Sequence, residues 1–124
     1  EFSHDLNTFG AELRSSEGRY PGAQFCTERV QVVRELVELI RSSGASVSFV
    51  FLPVHPDVLG AAPDVHPLAQ DAITAELVRL GVPIIVASSF SDTETYDGYH
   101  ANPQGRDRLT TEILPDLITS LTNG

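Results

Sequence analysis

The chain has 124 residues, of which 41% are hydrophobic and 20% are charged, a length and composition typical of one folded domain. Its formal charge of −9 comes from 17 acidic residues against 8 basic ones, all of which are arginine. Since the sequence holds no basic cluster and no apolar run of about 18 residues, we expect neither nucleic acid nor a membrane as a partner. The single cysteine, Cys26, excludes an internal disulfide and a cysteine-based zinc site.

Three helices are predicted from apolar residues that recur every three or four positions. They cover residues 27–43, residues 67–80 and residues 102–121. The third contains Pro115, which predicts a kink or a split because proline lacks the backbone donor that a helix interior needs. For the remaining residues, 1–26, we expect an irregular N-terminal segment that precedes an α/β domain over residues 27–124.

Two strands, residues 46–54 and 82–87, alternate with these helices, and both are rich in apolar residues. Apolar residues on both faces indicate a parallel sheet that is covered on each side. The order helix, strand, helix, strand, helix therefore predicts an α/β fold, a parallel sheet with flanking helices in three layers, of flavodoxin-like type.

Two strands are too few for such a sheet, which usually has about four to six. We therefore expect the fold to be incomplete in this chain, with the other strands supplied by a missing N-terminal part or by a homo-oligomer mate. Methionine is absent, even from position 1, and we expect the chain to be a piece of a longer gene product.

Chemistry is expected beyond the carboxyl ends of the strands, where open parallel sheets bind ligands. After the second strand, Asp97 and His100 stand three residues apart in a polar stretch. A carboxylate that accepts from one imidazole nitrogen fixes the tautomer and leaves the other nitrogen as a general base. Asn102 can cap the following helix, Pro103 suits its first turn, and Gly105 permits a close backbone approach.

The stretch DGYHANPQG at residues 97–105, followed by an apolar helix, resembles the last conserved block of the SGNH/GDSL hydrolase superfamily. The stretch FLPVHP at residues 51–56 resembles the central part of SGNH-like acyl hydrolases and cell-surface acyltransferases. The resemblance extends over residues 27–121. It implies that His100 is the base of a Ser-His-Asp triad and that Asp97 orients it. It also implies a small acyl ester or an acylated carbohydrate as substrate, a seryl ester as intermediate, and no cofactor.

The family's nucleophile lies in a Gly-Asp-Ser-type block well before this region, and the chain contains no such tripeptide. In this family a Gly and an Asn from two further early blocks donate to the oxyanion. Gly10 and Asn7 also lie early in this chain, but the residues around them do not match those blocks. We therefore expect this chain to be inactive when it is alone. The alternative is a non-catalytic α/β interaction domain that oligomerises or binds a partner through its sheet edge.

Other polar residues have a functional and a structural interpretation. His55 and Tyr99 are candidate substrate-binding residues, although His55 can equally be a loop histidine stiffened by prolines and Tyr99 a cover for the core. The serines after the second strand are weak candidates for a substitute nucleophile; they are Ser88, Ser89 and Ser91. The spacing of the four histidines matches no metal template, so no metal is expected; they are His4, His55, His66 and His100.

Overall fold

The computed structural model describes residues 22–61 and 66–123, which form four helices and two short strands. In chain order these are α1 (Gly22–Ser42), β1 (Phe49–Phe51), α2 (Pro56–Ala61), α3 (His66–Arg79), β2 (Ile84–Val86) and α4 (Pro103–Thr122). The predicted mixed α/β class is confirmed at this level: a two-stranded parallel sheet with helices between and after the strands. Residues 1–21, which include His4, Asn7 and Gly10, lie outside the described residues.

The sheet pairs β1 with β2 in parallel, and Phe49, Val50 and Phe51 stand opposite Ile84, Ile85 and Val86. One further hydrogen bond extends the ladder at each end, from Phe49 N–H to the Pro83 carbonyl (2.8 Å) and from Ala87 N–H to the Phe51 carbonyl (3.2 Å). Both strands are shorter than the predicted ranges. Apolar composition extends beyond the ladder, but Pro83 and Pro53 have no N–H with which to lengthen it.

The helices differ from the prediction in three ways. Helix α1 begins at Gly22, before the predicted start at Thr27. The stretch after β1, predicted as a loop, contains the short helix α2, which has proline at its first position, where the missing N–H costs no helical hydrogen bond. Helix α4 continues through Pro115 to Thr122, so a split there is wrong; a single proline removes one backbone bond from a 20-residue helix.

The core lies where α1 and α3 pack together beside the sheet. Its buried centre consists of Val37 from α1, Leu77 from α3 and Val82, which precedes β2. An ion cluster joins the same two helices: Glu76 on α3 accepts hydrogen bonds from Arg34 on α1 and from Arg79. These contacts hold α1 and α3 together, and Phe49, Phe51 and Ile84 of the sheet pack against the same cluster.

Two helices also carry apolar stripes on their exposed faces. The stripe of α1 consists of Val32, Leu36 and Leu39, and that of α4 consists of Leu114, Ile118 and Leu121. Spacings of four and three residues place each set on one side of its helix. Within the described part of the chain, no third strand pairs with the outer edges of β1 and β2. No helix of residues 22–61 and 66–123 combines the length and hydrophobicity that a bilayer span requires.

Glu76 is expected to make stability depend on pH. Hydrogen bonds from Arg79 and Arg34 lower the pKa of the Glu76 carboxyl from 4.5 to about 2. Because the folded-state pKa lies below the unfolded value, this stabilisation is complete above about pH 4.5 and is lost as the pH falls towards about 2. We predict that the melting temperature, followed by circular dichroism, falls across this range and that Glu76→Gln flattens the fall. Glu35→Gln, an exposed site on α1 with the same charge change, is the control. Equal pH curves for the Glu76→Gln variant and the parent chain would contradict the assignment.

Candidate active site

The loop that connects β2 to α4 is anchored by Arg108 on α4. Its guanidinium donates to both carboxylate oxygens of Glu94 (3.0 Å each) and to the backbone carbonyls of Ser88 (3.1 Å) and Ser89 (3.2 Å). Glu112 pairs with the same guanidinium one helical turn further along α4. Arg108 therefore fixes Ser88, Ser89 and Glu94, which bound the first half of this loop, to α4.

The start of α4 is fixed against Thr93 and Glu94, and Asn102 N–H donates to the Glu94 carbonyl (3.0 Å). Asn102 caps the helix, since its Oδ1 accepts from Gly105 N–H (2.9 Å), and its Nδ2 donates to the Thr93 carbonyl (2.7 Å). A Cβ on Gly105 would lie 2.0 Å from the Glu94 carbonyl oxygen, so only glycine fits there. The predicted cap at Asn102 and close approach at Gly105 are both confirmed.

Between Glu94 and Asn102 the chain folds into a tight turn that is organised by Thr95. The buried Thr95 hydroxyl donates to the His100 carbonyl (2.9 Å) and accepts from Gly98 N–H (2.9 Å). A backbone bond from Tyr96 N–H to the same His100 carbonyl (3.1 Å) closes the turn, and Gly98 adopts a positive φ of 90° within it. Sequence reasoning missed Thr95, because nothing in a lone threonine distinguishes this role from that of a surface residue.

The turn brings Asp97 and His100 together. Asp97 Oδ2 lies 2.6 Å from His100 Nδ1, and Asp97 Oδ1 accepts the backbone N–H groups of Tyr99 (2.9 Å) and His100 (2.8 Å). An ionised carboxylate can only accept, so Nδ1 carries a proton, and in the neutral ring Nε2 holds a lone pair. The His100 side chain is 80% exposed, which leaves Nε2, on the far side of the ring from Asp97, accessible from outside.

The Asp97 carboxyl of this pair is ionised at neutral pH. Burial raises the pKa of the Asp97 carboxyl, but hydrogen bonds from the His100 ring and from the backbone N–H groups of His100 and Tyr99 outweigh it and lower the pKa from 3.8 to about 2. Three donors therefore keep the group ionised. An ionised carboxylate in contact with Nδ1 holds the imidazole in one tautomer and stabilises the imidazolium that forms when Nε2 takes a proton.

The candidate substrate-binding residue His55 lies next to this turn but is buried, with 4% of its surface exposed. Its backbone N–H donates to the Gly98 carbonyl (2.8 Å), which joins the end of β1 to the Asp97–His100 turn. Its ring nitrogens bond to Asp92 Oδ1 (2.7 Å) and to the Asp57 backbone N–H (3.1 Å). Contact of this ring with a substrate stays a prediction.

Tyr99, the second candidate substrate-binding residue, is partly buried beside Asp97. Burial, followed by the negative charge of Asp97, raises the pKa of the Tyr99 phenol, so this group stays protonated across the neutral range.

The candidate serines lie elsewhere. Ser88 directs its hydroxyl at the Glu112 carboxylate (2.8 Å), and the Ser91 hydroxyl is bonded to the Thr93 hydroxyl (3.3 Å). Neither hydroxyl is hydrogen-bonded to His100. Among the described residues, no group of three or more His, Cys, Asp and Glu side chains is placed to hold a metal ion.

Comparisons with protein-family models, with curated protein sequences and with solved structures found no significant match to this chain.

Gly105 provides a test of how the turn is held. Replacement by alanine forces the Cβ into the Glu94 carbonyl, and overpacking of this kind costs about 1–3 kcal/mol. We predict that Gly105→Ala lowers the free energy of unfolding measured by urea denaturation by at least this amount. Gly60→Ala in α2 is the matched control, because a Cβ there meets no atom within 4 Å and alanine favours the helix. Equal effects of the two variants would show that the close approach at Gly105 is absent.

The Asp97–His100 contact can be measured directly. Replacing His100 by alanine removes a donor to the carboxylate, so we predict that the Asp97 pKa rises from about 2 in a carbon-detected NMR titration of its carboxyl group. The Arg106→Ala variant is the control, because it removes a nearby positive charge that pairs with Asp107 instead. An Asp97 titration that is the same in the His100→Ala variant and the parent chain would contradict the contact.

Proposed function

We propose that this chain is the C-terminal portion of an SGNH-like acyl-ester hydrolase or O-acyltransferase and contributes its acid–base pair. His100 is the general base, and Asp97 orients it. The observation that carries the proposal is the 2.6 Å contact from Asp97 Oδ2 to His100 Nδ1, with the opposite edge of the ring exposed. The sequence stretch from Asp97 to Gly105 adds the resemblance to the superfamily's last block.

The chemistry follows from this tautomer. His100 Nε2 accepts the proton of a serine hydroxyl as the serine attacks the acyl carbonyl, and the Asp97 carboxylate stabilises the imidazolium. The imidazolium then gives its proton to the departing alkoxide. In the second half, Nε2 takes a proton from water or from a sugar hydroxyl as that oxygen attacks the carbonyl of the seryl ester. The bond from the acyl carbon to the serine oxygen then breaks, and the imidazolium returns the proton to the serine oxygen. Asp97 stays ionised throughout, in keeping with its pKa of about 2.

The proposal includes a source for the serine. We infer that the two strands belong to a larger three-layer, flavodoxin-like sheet whose other strands carry the seryl block and the oxyanion donors. Two observations support this: no strand of residues 22–61 and 66–123 pairs with the outer edges of β1 and β2, and the apolar stripes of α1 and α4 are exposed. A complete three-layer fold covers such surfaces. The substrate is an acyl ester or an acylated carbohydrate, with Tyr99 and His55 as candidate contacts.

The same exposed surfaces favour a second candidate, a non-catalytic α/β domain that binds a partner or a second copy through its sheet edge. It gives His100 no chemical task. Under this alternative, the chain alone forms a stable complex in sedimentation velocity, Ile118→Glu in the α4 stripe dissociates it, and no esterase activity accompanies it.

The deciding experiment measures hydrolysis of p-nitrophenyl acetate by the complete product of the gene that encodes this chain. We predict that Asp97→Asn lowers the turnover number by about 10⁴-fold and that His100→Ala lowers it at least as much, since each removes one member of a triad. The Asp107→Asn variant is the matched control, because it neutralises an exposed carboxylate that pairs with Arg106 on α4. Circular dichroism confirms that all variants are folded. Activity that survives His100→Ala, or an inactive parent protein with an intact fold, would refute the proposal.

A further inference from the structure

The described residues contain two hydrogen-bonded aspartate–histidine pairs, which differ in burial and in tautomer. In the exposed pair, His100 presents Nδ1 to Asp97. In the second pair, the buried His55 presents Nε2 to Asp92, whose side chain is 72% exposed. The proposed acid–base chemistry uses the first pair and transfers no proton through the second.

The partners of His55 determine where its ring proton lies. The Asp57 backbone N–H points at Nδ1 (3.1 Å) and can only donate, so Nδ1 is an acceptor. The proton of the neutral ring is therefore on Nε2, from which it is donated to Asp92 Oδ1 (2.7 Å). The Asp57 carboxylate lies 3.8 Å from Nδ1, on the same side of the ring. This arrangement is the reverse of that at His100, whose proton is on Nδ1.

The backbone of His55 is held as firmly as its ring. Its carbonyl accepts the N–H groups of Val58 (3.0 Å) and Leu59 (3.2 Å) at the start of α2, and its own N–H donates to the Gly98 carbonyl (2.8 Å). Gly98 stands between Asp97 and His100, and its N–H is bonded to Thr95 on the inner side of the turn. His55 is thus the contact through which the end of β1 fixes the outer side of that turn.

We propose that His55 is a positioning residue for the Asp97–His100 pair. Its ring, held in the Nε2–H form between Asp57 N–H and Asp92, fixes the backbone that holds Gly98, and Gly98 sets the turn that brings Asp97 and His100 into contact. This inference rests on the proposed function, in which His100 is the general base, but the geometry can be tested without a substrate.

The first measurement is a two-bond proton–nitrogen NMR spectrum of the full chain labelled with ¹⁵N-histidine, recorded near neutral pH. The two rings are assigned by the loss of signals in the His55→Ala and His100→Ala variants. We expect the Nε2–H pattern for His55 and the Nδ1–H pattern for His100. An Nδ1–H or a doubly protonated pattern for His55 overturns the proposal, because the ring could then no longer accept from Asp57 N–H.

The second measurement tests whether the His55 ring affects the contact between Asp97 and His100. We expect His55→Ala to erase the single-tautomer pattern of His100 and to shift the titration of the Asp97 carboxyl to higher pH, while His55→Asn, which retains an acceptor for Asp57 N–H, preserves both in part. A general loss of stability moves neither readout in the folded protein. If the alanine variant does not fold, Asp92→Ala replaces it, since this exposed side chain can be removed without opening the core.

An unchanged His100 pattern and Asp97 titration in the folded His55→Ala variant, or in Asp92→Ala where that variant takes its place, overturn the positioning role. Ester hydrolysis that depends on His100 is a separate result. It can stand when the positioning role fails, and its absence leaves the NMR result unaltered, so the two proposals fail independently.

Discussion

The candidate site depends on one carboxylate that is saturated with donors. Asp97 accepts two backbone N–H groups through one oxygen and the His100 ring through the other, all from residues of its own turn. Because these backbone donors cannot rotate away, they hold the Asp97 carboxylate in place, and the carboxylate in turn orients the His100 ring. The position of the imidazole is therefore decided by main-chain geometry, although the ring itself is largely exposed. This explains how a histidine that is largely exposed still has a defined tautomer.

The turn needs support because it lies in a loop, and the support comes from three directions. Arg108 fixes Glu94 to α4, Gly105 allows the first turn of that helix to meet the Glu94 backbone, and His55 joins the turn to the end of β1. Two of these contacts tie the loop to α4, and the third ties it to the segment between β1 and α2. A loop held in this way can present the His100 side chain outside the core in a fixed orientation.

Sequence reasoning found the parts of this arrangement that are local. The Asn102 cap and the Asp97–His100 spacing each lie within a few residues, so turn and capping preferences predict them. Glycine at position 105 also predicted a close backbone approach, but its partner Glu94 lies further back in the chain and was not predicted. The contacts of His55 with Asp92 and of Arg108 with Glu94 span 37 and 14 residues, and no periodicity encodes them.

The same distinction applies to the fold. Apolar spacing predicted the long helices and the parallel pairing, since both follow from how side chains alternate. It overestimated the strands, because an apolar residue forms a ladder only where a neighbouring strand supplies partners, and here Pro53 and Pro83 flank the paired residues. It also missed α2, whose six residues are too few to show a helical period.

Position 105 has a practical consequence for genetics. In saturation mutagenesis, every replacement there adds atoms where the Glu94 carbonyl already stands, so all variants fail in the same way and their failure reports folding. At His100, a side chain that faces outward tolerates many replacements in the folded protein. A screen that scores abundance and activity separately will therefore sort these two neighbouring positions into different classes.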